Sequence, residues 1–222
     1  MVGPAVVGSA VIGSAVIGVK ICGIHDPAGF DAAVGAGADW IGFNFFPPSP
    51  RHLEPAAAAR LSARSPGGPA RVGLFVDPDA DQVARCLDAV ALDVLQIHAS
   101  AERSAELGRQ FGLPVWHAFG IAAAADLPVA ADGLERLVIE ARPPAGATRP
   151  GGNAVVMDWR LAAGWAAPCP WLLAGGLTPQ NVAEAIRISG ARAVDVASGV
   201  ERAPGIKDPA LIRAFIAAAR AV

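Results

Sequence analysis

Cysteine is scarce in this chain: Cys22, Cys86 and Cys169 are odd in number and unrelated in spacing. That argues against a disulfide framework and suits a reducing cytosol, so a cytoplasmic protein is expected. No CxxC pair and no paired-histidine spacing accompanies them, which leaves no structural zinc motif. Cys86 and Cys169 read as small buried hydrophobes. His25, His52, His98 and His117 fall in separate segments, without a carboxylate set or an i, i+4 partner. They read as structural or pocket-lining groups, and no metal site is expected. Basic residues are few and never clustered: 18 Lys and Arg stand against 20 Asp and Glu, for a net charge of −2. Neither nucleic acid nor an anionic membrane surface is therefore an expected partner. The lysines are Lys20 and Lys207 alone, neither at the strand-end position that a Schiff-base aldolase requires. No GxGxxG follows an apolar run, which weakens the open, doubly wound sheet as an alternative fold.

What is abundant is apolar sequence. With 222 residues and 53% hydrophobic content, the chain is long enough to bury a large core, and nothing marks a boundary inside it. Residues 1–18 stand apart. They carry no charge, and AVVGS-AVIGS-AVIG repeats every five residues, a period that matches neither strand nor helix. This stretch reads as a disordered or loosely attached extension. A membrane or export segment, or a tether to a partner, is the competing reading, although glycine interrupts it and a basic start is missing.

From residue 19 onward, short apolar runs alternate with helix-forming segments. The first run is VKICGI (19–24), followed by a helix over 27–37 that opens on Pro27. WIGFNF (40–45), RVGLFV (71–76), DVLQIH (93–98), PVWHAF (114–119), RLVIEA (136–141), PWLLA (170–174) and AVDVA (193–197) are the later strands. Helices are expected over 54–62, from Asp77 to Ala91, over 101–111, near 121–130, after Asp158, from Pro179 to Ser189, and from Asp208 to the end. Eight strand-then-helix units with continuous apolar strands imply a closed (β/α)8 barrel over residues 19–222.

In such a barrel the chemistry lies at the carboxyl ends of the strands. Polar residues there are few: Cys22, His25, Asn44, Arg51, Asp77, Gln96, His98, His117, Glu140, Arg142, Asp195 and Ser198. Behind strands seven and eight, GGLTPQN and SGVE place the backbone amides of Gly175, Gly176, Ser198 and Gly199 beside helix starts, a pattern that suits a phosphate. Lys20 lies two residues before Cys22 and so shares its face of the strand.

KICG, GFNFFPPSPR, LDVLQIH, the PPxGxxxPGGN loop with DW after it, LAGGLTPQNV, and VDVASGVE followed by PGIKD together resemble phosphoribosylanthranilate isomerase, the barrel enzyme of tryptophan biosynthesis. The resemblance runs from Val19 to the C-terminus. It implies a small phosphosugar substrate, N-(5-phosphoribosyl)anthranilate, and an Amadori rearrangement to 1-(o-carboxyphenylamino)-1-deoxyribulose 5-phosphate. It implies no metal or redox cofactor. A monomer or homodimer is expected. The family's general base is the cysteine of KICG, here Cys22. Its general acid is an aspartate in a motif like LLDAKPP, and this chain reads LVIEARPP, which places Glu140 there. Glutamate and aspartate differ by only about 0.4 units in intrinsic acidity, but the extra methylene shifts the carboxyl by roughly 1 Å. Arg51 matches the arginine that binds the anthranilate carboxylate, and Asp195 matches a position near the ribose. A non-catalytic or weakly active phosphosugar-binding barrel is the alternative that Glu140 raises.

Overall fold

The computed structural model describes residues 16–144, 146 and 155–222. Eight parallel strands close into a barrel in sequence order. They are β1 (Gly18–Cys22), β2 (Trp40–Asn44), β3 (Ala70–Val76), β4 (Val94–His98), β5 (Val115–Ile121), β6 (Arg136–Ala141), β7 (Trp171–Leu173) and β8 (Ala193–Val196). The ring closes where β1 pairs with β8, Lys20 lying opposite Asp195.

The alternation of side chains along each strand separates two cores. Outward-facing Ile21, Ile41, Phe43, Phe75, Leu95, Ile97, Leu137 and Ile139 pack beneath the surrounding helices. Inward-facing Val72, Val94, Trp116, Val138, Leu172 and Ala193 fill the barrel itself. Because both faces are covered, the strands need no polar face, which is why they read as continuous apolar runs.

The helices are α1 (Pro27–Gly35), α2 (Pro55–Ser62), α3 (Ala80–Ala89), α4 (Ala101–Phe111), α5 (Val182–Ser189) and α6 (Pro209–Arg220). Capping sets several starts: Asp26, Asp79 and Ser100 accept from the amides of Gly29, Gln82 and Arg103, and Asp208 accepts from that of Ala210.

Two expected helices are absent. Ala124–Asp126 and Trp159–Ala162 are single 3-10 turns, so among the described residues no full helix follows β5 before β6 or β6 before β7. In the first, Asp126 spends its carboxylate on the amides of Ala122 and Ala123, tying off a tight turn. Pro128 then denies a donor for continuation. Helix α5 begins at Val182 and not at Pro179, because Asn181 folds back onto Thr178 and Gly176. An antiparallel hairpin, β9 (Glu201–Ala203) with β10 (Ile206–Lys207), follows β8 and was not expected.

The extension expected over residues 1–18 lies outside the described residues as far as residue 15. Its last two residues belong to the barrel: Ile17 is buried, and Gly18 opens β1 against Ala193. The loop read as PPxGxxxPGGN is likewise outside the described residues at 145 and 147–154. Cys86 is buried as expected, but Cys169 is only half-buried, packed against the core. Among the described residues no helix is long and apolar enough to cross a membrane.

Candidate active site

One cleft opens at the carboxyl ends of the strands and encloses about 750 Å³ of empty space, its open mouth included. Cys22, Arg51, Glu140, Gly175, Gly176, Asp195, Ser198 and Gly199 all line it. Residues scattered from position 22 to position 199 therefore share one cleft.

Cys22 ends β1, with its thiol facing inward over Gly42 of β2. A β-carbon at Gly42 would approach the sulfur to 3.0 Å, so glycine there leaves room for it. Lys20, one pleat deeper, is fully buried and donates to Asp195 Oδ1 at 2.9 Å. Burial pulls the Lys20 ammonium toward losing its proton, but Asp195 and Cys22 outweigh this and hold its pKa above the ordinary lysine value. For Cys22, burial is also the largest influence and pushes the thiol up. Lys20 and Lys207 favour the thiolate, Asp195 opposes it, and the net direction stays upward. Burial thus favours the thiol more than the two lysines favour the thiolate.

Arg51 is positioned by the loop after β2. Asn44 Oδ1 accepts from the Phe46 amide, and Ser49 Oγ accepts from both Asn44 Nδ2 and the Arg51 amide. These bonds give the proline-rich PPSPR segment a set shape. The aliphatic stem of Arg51 lies across Gly23, where a β-carbon would come within 2.5 Å of Cδ and the backbone has φ +72°. Only glycine suits that place.

The guanidinium is 5% exposed as part of its residue and is held edge-on by Glu201, from Nε at 2.6 Å and Nη2 at 2.9 Å. Glu201 in turn accepts from Lys207 Nζ at 2.8 Å and from the Gly205 amide at 3.1 Å. Burial alone lifts the Glu201 carboxyl, but Arg51 and Lys207 outweigh it and hold it below its usual range. Burial draws Lys207 below the ordinary lysine value despite Glu201. The pair uses one edge of the Arg51 fork, so the other Nη edge remains to meet a carboxylate.

Glu140 reaches the cleft from β6, paired across β5 with Gly120. Gly175 sits against its other side, where a β-carbon would meet Glu140 Cβ at 3.3 Å.

The phosphate candidates close the remaining wall. Gly175 and Gly176 adopt φ of +81° and +64°, and Ser198–Val200 is a 3-10 turn. A β-carbon at Gly199 would fall 1.8 Å from the carbonyl oxygen of Leu177, so the two loops touch backbone to backbone.

His98 lines the cleft, and burial, with lesser pushes from His117 and Lys20, draws its pKa down to about 3. His117 does not line it. Its ring faces outward to α4, with Nδ1 2.8 Å from Ser104 Oγ. Among the described residues no three His, Cys, Asp or Glu side chains are grouped to hold a metal ion. The structural supports Glu201 and Lys207 were legible only as letters within SGVE and PGIKD. Nothing in their spacing signals that they meet Arg51.

Residues 19–218 match the family model described as N-(5'phosphoribosyl)anthranilate (PRA) isomerase. The chain belongs to that isomerase family. Among curated members of the phosphoribosylanthranilate isomerases, that of Rhodospirillum rubrum is 56% identical over 204 residues, covering 88% of this chain and 94% of the relative. That of Acidiphilium cryptum is 55% identical over 192 residues, covering 86% and 92%. A solved phosphoribosylanthranilate isomerase in complex with reduced 1-(o-carboxyphenylamino)-1-deoxyribulose 5-phosphate superposes with a TM-score of 0.78 at 32% identity, over 93% of this chain and all of that one. The Thermus thermophilus enzyme gives a TM-score of 0.80 at 31% identity, over 91% of this chain and 98% of that one.

Proposed function

We infer that Cys22 and Glu140 divide between them the proton transfers of this family's reaction. The chain is an isomerase of tryptophan biosynthesis that converts N-(5-phosphoribosyl)anthranilate to 1-(o-carboxyphenylamino)-1-deoxyribulose 5-phosphate by Amadori rearrangement. In our reading Glu140, protonated, gives its proton to the ribose ring oxygen as the bond from that oxygen to C1 breaks. The nitrogen lone pair then forms an iminium at C1. Cys22, as thiolate, removes the proton from C2, and the resulting enolamine tautomerises to the ketone. C2 is oxidised as C1 is reduced within the one molecule, with protons passing through the two side chains, so the chemistry needs no redox group.

The observation that carries this reading is that an acid and a base from non-adjacent strands, β6 and β1, open into one cleft whose other walls bear an anion cradle and an arginine. The amides at Gly175, Gly176, Ser198 and Gly199 would take the phosphate, and the free edge of Arg51 the anthranilate carboxylate. Asp195 would stand near the ribose while neutralising Lys20. We further place the protein in the cytoplasm as a monomer or homodimer.

The test is the loss of anthranilate-type fluorescence on freshly generated phosphoribosylanthranilate. Cys22→Ala and Glu140→Gln are each expected to lose about a hundredfold or more in kcat, with Glu140→Asp retaining activity. Turnover by Glu140→Gln at the wild-type rate would remove Glu140 from the mechanism. Turnover by Cys22→Ala would do the same for the base.

A further inference from the structure

Gln96 is the residue of this cleft that neither the fold nor the proton transfers account for. It lies in the middle of β4, facing inward, with Leu74 of β3 and Trp116 of β5 at the paired positions on either side. The residue is 2% exposed, and its Oε1 is sealed from solvent with no hydrogen-bond partner among the described residues. An unpaired buried acceptor forfeits the solvation it had in water, so such groups are rare in folded proteins and call for a reason. Packing supplies none. Val94, one pleat deeper, and Leu74 beside it show that the barrel fills these places with apolar side chains.

Its location supplies one. Gln96 lines the same cleft as Cys22, Arg51, Glu140, Asp195 and the Gly175–Gly176 and Ser198–Gly199 backbone. With a substrate bound as inferred above, the carboxylate and the phosphate occupy the two ends. The part between them is the sugar with its hydroxyls and the linking N–H. Those are hydrogen-bond donors, and a carboxamide oxygen is their complement. The amide also turns about its last torsion at little cost, which exchanges the oxygen and nitrogen.

We propose that Gln96 is a substrate-binding residue, whose carboxamide accepts a hydrogen bond from a sugar hydroxyl or the linking N–H and seats the sugar between Cys22 and Glu140. This rests on the isomerase reading. It assigns the unpaired oxygen to the ligand.

The experiment compares wild type with Gln96→Met and Gln96→Leu, which keep the bulk and remove the polar atoms. Thermal unfolding without ligand, turnover of phosphoribosylanthranilate, and calorimetric binding of reduced 1-(o-carboxyphenylamino)-1-deoxyribulose 5-phosphate are measured on each. The expected result is a Tm equal to or above wild type, together with a loss of about tenfold to a hundredfold in kcat/KM and weakened binding of the analogue, as for one hydrogen bond to a buried group. Wild-type kcat/KM in both variants overturns the proposal and leaves the isomerase reading standing. A lower Tm in both, with activity lost in proportion to folded protein, also overturns it by assigning Gln96 to the fold. Absence of turnover by wild type itself is a failure of the isomerase reading and is seen before any variant is made.

Discussion

Replacing Lys20 by methionine should expose how much of this barrel depends on a single ion pair. Lys20 is fully buried and bonds Asp195 at 2.9 Å, where two unit charges in a medium of effective dielectric 20 attract by on the order of 5 kcal/mol. Desolvating each ion costs several kcal/mol, so the net worth of the pair is small. Removing one member is another matter, since Asp195 then keeps its burial cost without compensation. About 3–5 kcal/mol of stability should be lost, against a total of about 5–15 kcal/mol for a domain. For a chain of this size that lowers Tm by on the order of 10 °C. Urea unfolding followed by the fluorescence of the five tryptophans measures it. The double variant Lys20→Met/Asp195→Asn should recover most of the loss, because no lone charge remains. A single variant within about 1 kcal/mol of wild type, or a double variant whose losses simply add, would show that the pair is not coupled as its geometry requires.

The remaining expectations concern the cleft. The inferred reaction needs a proton on Glu140 and none on Cys22, so each gain in thiolate on raising the pH is matched by a loss of protonated acid. kcat/KM should stay level through neutrality and fall on the alkaline side only where the raised Cys22 thiol ionises, and Lys20→Met should move that limb further up; a profile that climbs through neutrality would argue against this acid–base pair. Glu201→Gln releases the Nε and Nη2 edge of Arg51, so KM should rise about tenfold while kcat stays within a few-fold of wild type, as steady-state kinetics will read. Gly199→Ala must push the Leu177 carbonyl away from a contact of 1.8 Å, which should cost about 1–3 kcal/mol in urea unfolding and weaken inorganic phosphate as a competitive inhibitor. His98 has a folded pKa of about 3 against an ordinary 6.5, so the unfolded chain binds the extra proton between those values. Stability from this residue is whole above about pH 6.5 and is lost as pH falls toward 3; His98→Asn should flatten that part of the pH–stability curve.

Much of the barrel was legible because its strands are signalled twice, once by apolar content and once by the turn chemistry that follows each. β6 falls at Arg136–Ala141 as read, and α4 at Ala101–Phe111. The misreadings lie after β5 and β6, in segments with the alanine, leucine and tryptophan content of helices, each of which makes a single 3-10 turn. After β5 local propensity is overridden where Asp126 bonds back to the amides of Ala122 and Ala123 and Pro128 follows.

The sequence by itself determined the fold class, because strand period and glycine-bounded ends are local properties that repeat along the chain; its motifs determined the family, and through the family Cys22, Arg51, Glu140 and Asp195, which line the cleft. Tertiary structure alone decided the electrostatics. That Lys20 is claimed by Asp195, 175 residues away, and Arg51 by Glu201, 150 residues away, depends on barrel closure and on a hairpin no periodicity announces. The same closure buries Cys22 and leaves Gln96 Oε1 without a partner among the described residues, since the charge state of a group and the partners it lacks are set by what surrounds it in space.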